Sequence, residues 1–128
     1  MDEAIWRALK RRNLIDITTT GRQSGAPRRI EIVFHSFDDR TYITGMPSQR
    51  KRAWIANLEA NPALTFHLKG NAGTPVADLA ATARVITDEA ERREILRQVI
   101  ESAWHDQDLE TMVRYSPLIE VTFDQLAA

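Results

Sequence analysis

Two short segments of the chain combine small residues with closely spaced cations. The first is the turn at residues 21–27, in which Arg22 and Ser24 lie between two glycines and are followed by Arg28. The second, residues 46–52, contains a serine and ends in three consecutive cations. Glycine and serine leave main-chain N–H groups accessible, and arginine offers paired donors in one plane. This combination indicates binding of a compact anion, such as the phosphate group of a cofactor.

The charge of the chain is distributed unevenly, although its net value is only −1. Residues 22–52 hold seven cations and three acids, whereas residues 88–110 hold eight acids and three arginines. A basic segment within a nearly neutral protein favours a small anionic ligand over nucleic acid. Trp54 follows the cations, an arrangement that single-strand binders use, but its helical spacing to Leu58 predicts a core position.

The other reactive side chains do not form a familiar catalytic or metal-binding pattern. The chain has no cysteine, and its histidines are too scattered for a ligand motif: they are His35, His67 and His105. Ser24 lacks the preceding glycine of a nucleophile elbow. We therefore expect no metal and no hydrolytic nucleophile, and the catalytic residues stay unassigned.

Short strands and helices must position the two basic segments. Alternating or β-branched residues predict strands at residues 14–20, 28–37, 41–45, 64–69, 76–87 and 118–123. Helices are predicted at residues 2–12, at residues 48–60 with Ser48 as N-cap, and from Asp88 onward, with residues 106–114 as a second helix or a continuation. The short connections make the strands antiparallel. The expected fold class is α+β, with about six strands in a small barrel or curled sheet.

The length of 128 residues predicts one domain spanning the whole chain. Six short strands expose edges unless they close or pair, so we expect a homodimer, with Val33, His35 and Phe37 as candidate interface residues. No apolar run approaches the ~18–20 residues of a membrane span. The first residues lack the apolar core of an export signal, and we expect a cytoplasmic protein.

The two basic segments, taken together, resemble those of a known family. Residues 18–28, TTTGRQSGAPR, and residues 52–62, RAWIANLEANP, match in order and spacing the deazaflavin-dependent nitroreductase/quinone reductase family. This family belongs to the flavin/deazaflavin oxidoreductases with an FMN-binding split β-barrel, similar to pyridoxamine phosphate oxidases. The resemblance covers residues 14–68 and is less specific in the C-terminal third.

The resemblance implies a homodimeric split barrel of about six antiparallel strands that binds a reduced deazaflavin of the coenzyme F-420 type. It also implies hydride transfer to a small-molecule electron acceptor, namely a quinone, a nitro compound or an activated alkene. Carried over by position, the cofactor-binding residues are Arg22, Ser24, Arg28, Met46, Pro47, Ser48, Gln49, Arg50, Lys51, Arg52 and Trp54. Trp54 and Asn57 match the helix pattern of the family, where a structural role is expected.

The chain also departs from the family pattern. Gln23 stands where many relatives have lysine, residues 46–48 contain fewer glycines, and Tyr115 alone replaces a tyrosine-rich substrate wall. Three alternatives therefore stay open: an FMN-binding flavin reductase or oxidase of the same fold, a carrier of flavin, haem or lipid, and an interaction module without a ligand. The basic run at residues 50–52 favours the deazaflavin, because its glutamyl tail is more acidic than the phosphate tail of FMN.

Overall fold

The structure is a computed structural model that describes residues 1–126 of the chain. Its strands are β1 (Asn13–Thr20), β2 (Pro27–Phe37), β3 (Arg40–Thr44), β4 (Ala63–Lys69), β5 (Val76–Val85) and β6 (Leu118–Phe123). Its α-helices are α1 (Glu3–Ala8), α2 (Ala53–Ala60), α3 (Glu89–Ser102) and α4 (Leu109–Tyr115). None of these helices is long and apolar enough to cross a membrane.

The six strands form one closed antiparallel barrel in the order β1-β2-β3-β6-β5-β4. Alternate residues of each strand point inward, and the register places Phe34 opposite Ile43 at the β2–β3 pair. The ring of Phe66 packs edge to face against Phe34 and Phe123, with centroids 5.3 Å and 5.0 Å apart. The predicted α+β barrel of six antiparallel strands is confirmed, and the alanine-rich segment is strand β5.

Helix α2 packs on the barrel core and buries three large apolar side chains, Trp54, Ile55 and Leu58. It begins after Arg52 and ends before Asn61. The predicted C-terminal end is confirmed, since Pro62 disfavours helical geometry at the residue before it.

The predicted start of this helix at Ser48 is wrong. The Ser48 hydroxyl accepts a hydrogen bond from the Arg50 N–H (3.2 Å), and the Ser48 N–H donates to the Tyr115 carbonyl (3.1 Å). These contacts keep residues 48–52 in a loop, which the end of α4 holds in place. The position of this loop therefore depends on a segment that is distant in the sequence, the end of α4.

Helices α3 and α4 cover the outside of the barrel and form a second hydrophobic cluster, composed of Tyr42, Ile86, Ile95, Leu96, Met112, Val113 and Leu118. Asp88 caps α3 by accepting from the Glu91 N–H (2.9 Å), as its spacing predicts. Asp108 caps α4 in the same way through the Thr111 N–H (3.0 Å). Residues 109–115 are therefore a separate helix and not a continuation of α3.

The predicted interface face of β2 is largely covered within the chain itself. His35 is 1% exposed and lies edge to face with Trp104, with ring centroids 5.2 Å apart. Phe37 packs against the second hydrophobic cluster. The assignment of His35 to a dimer interface is wrong, because Trp104, which follows α3, already covers it, whereas the assignment of the half-buried Val33 and Phe37 stays a prediction.

Candidate functional site

A cavity of about 950 Å³ lies between the barrel and the helices α2, α3 and α4. Three parts of the chain line it: the loop at residues 48–52 with α2, the end of β5 with the start of α3, and residues 110–118 around the end of α4. The β6 strand enters the barrel between β3 and β5, and this topology brings the end of α4 beside the loop.

The structure places most of the second basic segment in this cavity. Its lining includes Ser48, Gln49, Arg50, Lys51 and Arg52. Met46 and Pro47 precede the lining part of the loop. Trp54 is only 7% exposed and belongs to the barrel core, which agrees with a structural role.

The first basic segment, with Arg22, Ser24 and Arg28, lies outside the lining of this cavity. Several of its main-chain N–H groups are engaged within the turn. The Gly21 N–H donates to the Ala26 carbonyl (2.8 Å), and the Ala26 N–H donates to the Ser24 hydroxyl (3.1 Å). The expectation that glycine and serine leave these amides accessible is therefore wrong for this part of the turn.

Asn57 connects this turn to helix α2. Its side-chain carbonyl accepts from the Arg22 N–H (3.1 Å), and its amide donates to the Thr19 hydroxyl (3.1 Å). Asn57 is 5% exposed; its contact with Thr19 is buried, and its contact with Arg22 is partly buried. The side chain thus fixes the turn at residues 21–27 against the helix that lines the cavity.

Positive charge exceeds negative charge along the cavity. Five cations line it, Arg50, Lys51, Arg52, Arg92 and Arg114, and three carboxylates, Glu59, Glu89 and Glu110. The carboxylates are already paired, Glu59 with Lys51 and the other two with Arg93, which lies outside the lining. Within residues 1–126, Arg50 and Arg114 have no ion-pair partner. The cavity therefore offers net positive charge to an anion.

Arg92 is a cavity residue that the sequence interpretation missed. Its guanidinium donates to four main-chain carbonyls, those of Ile86 (2.9 Å), Val113 (3.0 Å), Ser116 (2.6 Å) and Met112 (3.4 Å). Burial lowers the pKa of Arg92 from its ordinary value, but arginine stays protonated in proteins. Position 92 precedes the apolar positions 95, 96 and 99 by three, four and seven residues. This spacing places Arg92 on the buried face of α3, which is the sequence signal that could have identified it.

The guanidinium of Arg52, in the loop at residues 48–52, is likewise held by a main-chain carbonyl. Its Nη2 donates to the Met46 carbonyl (2.7 Å) and lies close to Gly45. A Cβ atom at Gly45 would lie 3.3 Å from this nitrogen and 3.2 Å from Pro117 Cγ. The absence of a side chain at position 45 thus makes room for the guanidinium at the end of β3.

The end of α4 adds a mixed polar and apolar surface to the cavity. Tyr115 is 38% exposed, whereas Ser116 is 4% exposed. The Ser116 hydroxyl has no hydrogen-bond partner in the described part of the chain. Val113, Pro117 and Leu118 supply the neighbouring apolar atoms. Such a surface suits a flat organic molecule that carries a few polar atoms.

The donor set fits a large anionic organic cofactor. Cations are available for an acidic tail, and apolar side chains are available for a ring. Among residues 1–126, no cluster of three potential ligand side chains could hold a metal ion. The residues that line the cavity can bind and orient a ligand, and the redox chemistry would be that of the ligand.

Comparisons with known proteins give a family match and several similar solved structures. The sequence model of the F420H(2)-dependent quinone reductase family matches residues 2–121. Among solved structures, one described as an F420-H2 dependent reductase is 22% identical, with a TM-score of 0.59, covering 85% of this chain and 93% of its own. A protein from Listeria innocua assigned to the pyridoxamine 5'-phosphate oxidases is 14% identical, with a TM-score of 0.64, covering 96% and 90%.

A third solved structure, described as a domain-swapped dimer, is 20% identical, with a TM-score of 0.62, covering 94% of this chain and 95% of its own. At these identities the solved structures establish the fold, which is the split barrel of this group. No curated protein sequence is significantly similar to the chain.

Proposed function

Because the chain belongs to the F420H(2)-dependent quinone reductase family, we propose that it reduces quinones or other electron-poor acceptors such as nitro compounds and activated alkenes. The protein is a deazaflavin-dependent oxidoreductase, and its cofactor is the reduced deazaflavin of this family. When bound, this cofactor supplies a hydride. The proposal for the acceptor rests on the mostly apolar surface at the end of α4, which includes the ring of Tyr115.

The loop at residues 48–52 would hold the acidic tail of the cofactor. Arg50 has no ion-pair partner among residues 1–126, and the Arg52 guanidinium is fixed at the Met46 carbonyl. Lys51 pairs with Glu59 at 2.7 Å, but both side chains are at least 40% exposed and can exchange partners. These three cations are the observation that carries the proposal, since they bring charge to a cavity large enough for a cofactor.

The acceptor would lie against residues 113–118. Tyr115 offers a partly exposed aromatic ring, and Pro117 offers apolar atoms beside it. The side chains of the cavity contain no evident acid–base pair, and hydride transfer depends chiefly on orientation. The role of the protein would be to bind both molecules in contact and to exclude water.

The test compares two triple variants that each remove two arginines and one lysine. The first is Arg50→Ala, Lys51→Ala and Arg52→Ala. The control is Arg7→Ala, Lys10→Ala and Arg97→Ala, which removes two arginines and one lysine outside the cavity lining. We expect the first variant to lose roughly 100-fold or more in deazaflavin affinity, since each of the three charged contacts contributes about 1 kcal/mol or more. Fluorescence titration measures the affinity, and equal losses in both variants would contradict the anchor assignment.

Turnover separates an enzyme from a carrier. Purified protein loaded with the reduced deazaflavin should oxidise it when a quinone is added, at a rate above that of the free cofactor. A parallel titration with FMN, FAD and haem tests the alternative ligands. Tight binding of one of these without quinone reduction would favour the carrier.

We further propose that the protein is a homodimer in the cytoplasm. The solved chain described as a domain-swapped dimer supports the first point, and 78% exposed Val76 on β5 is an apolar group that a partner could cover. Sedimentation equilibrium should give about twice the chain mass of 14.6 kDa. A mass of one chain at micromolar concentration would contradict the dimer.

A further inference from the structure

The end of helix α4 is held from outside the helix. The last four carbonyls of an α-helix have no partner within it, and α4 ends at Tyr115. Arg92 Nε donates to the Val113 carbonyl (3.0 Å), and the Ser48 N–H donates to the Tyr115 carbonyl (3.1 Å). A cation beside these carbonyls is also favoured by the helix dipole. One side chain of α3 and one amide of the basic loop thus replace the missing helical hydrogen bonds.

The Arg92 guanidinium also joins this helix end to two other elements. Its Nη1 donates to the Ile86 carbonyl after β5 (2.9 Å), and its Nη2 donates to the Ser116 carbonyl before β6 (2.6 Å). All three segments line the cavity. The planar guanidinium therefore fixes the relative position of the main chain on three sides of this part of the cavity.

Arg92 is poorly suited to serve as a direct anchor for an anion. Each of its nitrogens already donates to a carbonyl within the protein. Arg50 and Arg114, by comparison, have no ion pair in residues 1–126 and can turn towards a ligand. The position of Arg92 thus indicates a part in shaping the cavity, and a lysine could not reproduce it, because an ammonium group lacks the planar set of donors.

We propose that Arg92 is a positioning residue, which holds residues 113–118 in the conformation that receives the electron acceptor. The statement about the acceptor rests on the function proposed above. Loss of the guanidinium contacts would release the carbonyls of α4 and the turn that carries Ser116. The basic loop would lose part of its support at the Tyr115 carbonyl, but it would keep its cations and the contact of Arg52 to the Met46 carbonyl (2.7 Å), so the cofactor would still bind.

The variant that tests this is Arg92→Lys, with Arg97→Lys as the matched control on the same helix. Among the described residues, Arg97 forms ion pairs with Glu94 and Glu101 on the surface. Amide hydrogen exchange on the full chain without cofactor should be about tenfold faster at residues 113–116 in Arg92→Lys, because the fixed carbonyls are released. Exchange in the barrel strands should stay within about threefold, and the control should match the parent chain throughout.

Kinetics on the loaded enzyme provide the second measurement. We expect the KM for the quinone to rise roughly tenfold in Arg92→Lys while the Kd for the deazaflavin changes less than about threefold. If the cofactor affinity falls instead and the quinone KM does not change, Arg92 is an anchor and the proposal is overturned. If the parent chain reduces no quinone, the proposed function fails, whereas the exchange experiment still decides whether Arg92 holds this segment.

A second variant covers the case in which Arg92→Lys does not fold. The Thr44 hydroxyl donates to the Pro117 carbonyl (2.5 Å), so Thr44→Val loosens the same turn from the β3 side. It should show the same local increase in exchange and the same rise in the quinone KM, both smaller. Uniformly faster exchange over the whole chain in either variant would indicate a general structural role and would overturn the proposal.

Discussion

The buried imidazole of His35 makes the stability of the protein depend on pH. His35 is 1% exposed, and neither ring nitrogen has a hydrogen-bond partner in residues 1–126. Burial, aided by the charge of Arg12, lowers the pKa of His35 to about 4. The unfolded chain restores the ordinary pKa near 6.5, so between these two values the unfolded state binds the additional proton.

We therefore expect protonation of this group to destabilise the fold as the pH falls from about 6.5 to about 4, and to leave the fold unaffected above 6.5. The pKa difference corresponds to about 3 kcal/mol, which is fully lost only below about pH 4. Urea unfolding at pH 7 and pH 4.5 measures the effect. His35→Phe should reduce the difference between the two pH values by about 2 kcal/mol.

The control for this measurement is His105→Gln, since His105 is exposed on the loop after α3. It should leave the pH dependence of the parent chain unchanged. An identical pH dependence in the parent chain and His35→Phe would show that His35 is not the group responsible.

At the scale of the elements, the side-chain amide of Asn57 attaches helix α2 to the turn at residues 21–27 and to the end of β1. Asn57→Ala would leave the Arg22 N–H and the Thr19 hydroxyl without their protein partner. We expect a loss of about 1–3 kcal/mol in the free energy of unfolding, because buried polar groups would stay unsatisfied. Urea unfolding measures it.

Asn61→Ala is the matched control, since Asn61 lies at the end of the same helix and its side chain accepts a hydrogen bond from the exposed Ala63 N–H. Its cost should stay below about 1 kcal/mol. Equal losses in both variants would contradict a special role for Asn57.

The elements also show what local sequence patterns can and cannot predict. Alternation predicts the strands because each strand has one face in the barrel, and Pro62 and Asp88 mark a helix end and a helix start. Ser48 looks like an N-cap only as long as its neighbours in space are unknown. Its amide bonds to Tyr115, 67 residues later, and no local pattern contains that contact.

The candidate site was likewise predictable only in the part whose residues are adjacent in the sequence. The run of cations at residues 50–52 was visible because its members are adjacent, and it lines the cavity. The other part of the lining comes from residues 85–92 and 110–118, which only the barrel topology brings to the loop. Arg92 was overlooked because it lies in an acid-rich segment, although its position on the apolar face of α3 was an available signal.

At the scale of the whole molecule, ion pairs explain how an acid-rich half can border a positive cavity. Four of the acidic residues of α3 and α4 form ion pairs with arginines of α3. Glu89 and Glu110 contact Arg93, and Glu94 and Glu101 contact Arg97. The nearly neutral net charge of the chain therefore coexists with local excess charge at the cavity.

This charge distribution predicts that binding of the cofactor depends on ionic strength. Raising the salt concentration from about 0.05 M to 0.5 M shortens the screening length several-fold and should weaken deazaflavin affinity by roughly tenfold. Fluorescence titration at a series of salt concentrations measures the slope. The triple alanine variant at residues 50–52 should show a flatter slope than the parent chain, and equal slopes would mean that these cations do not contact the ligand.

The place of β6 in the barrel has a consequence for synthesis of the chain. This strand is the last in sequence, yet it pairs with β3 on one side and β5 on the other. A nascent chain that has not yet released residues 118–123 from the ribosome leaves both of those strands with an open edge. The barrel, and with it the cavity, can therefore close only after translation has passed residue 123, and until then the two open edges are the part of the nascent chain that chaperones would need to shield.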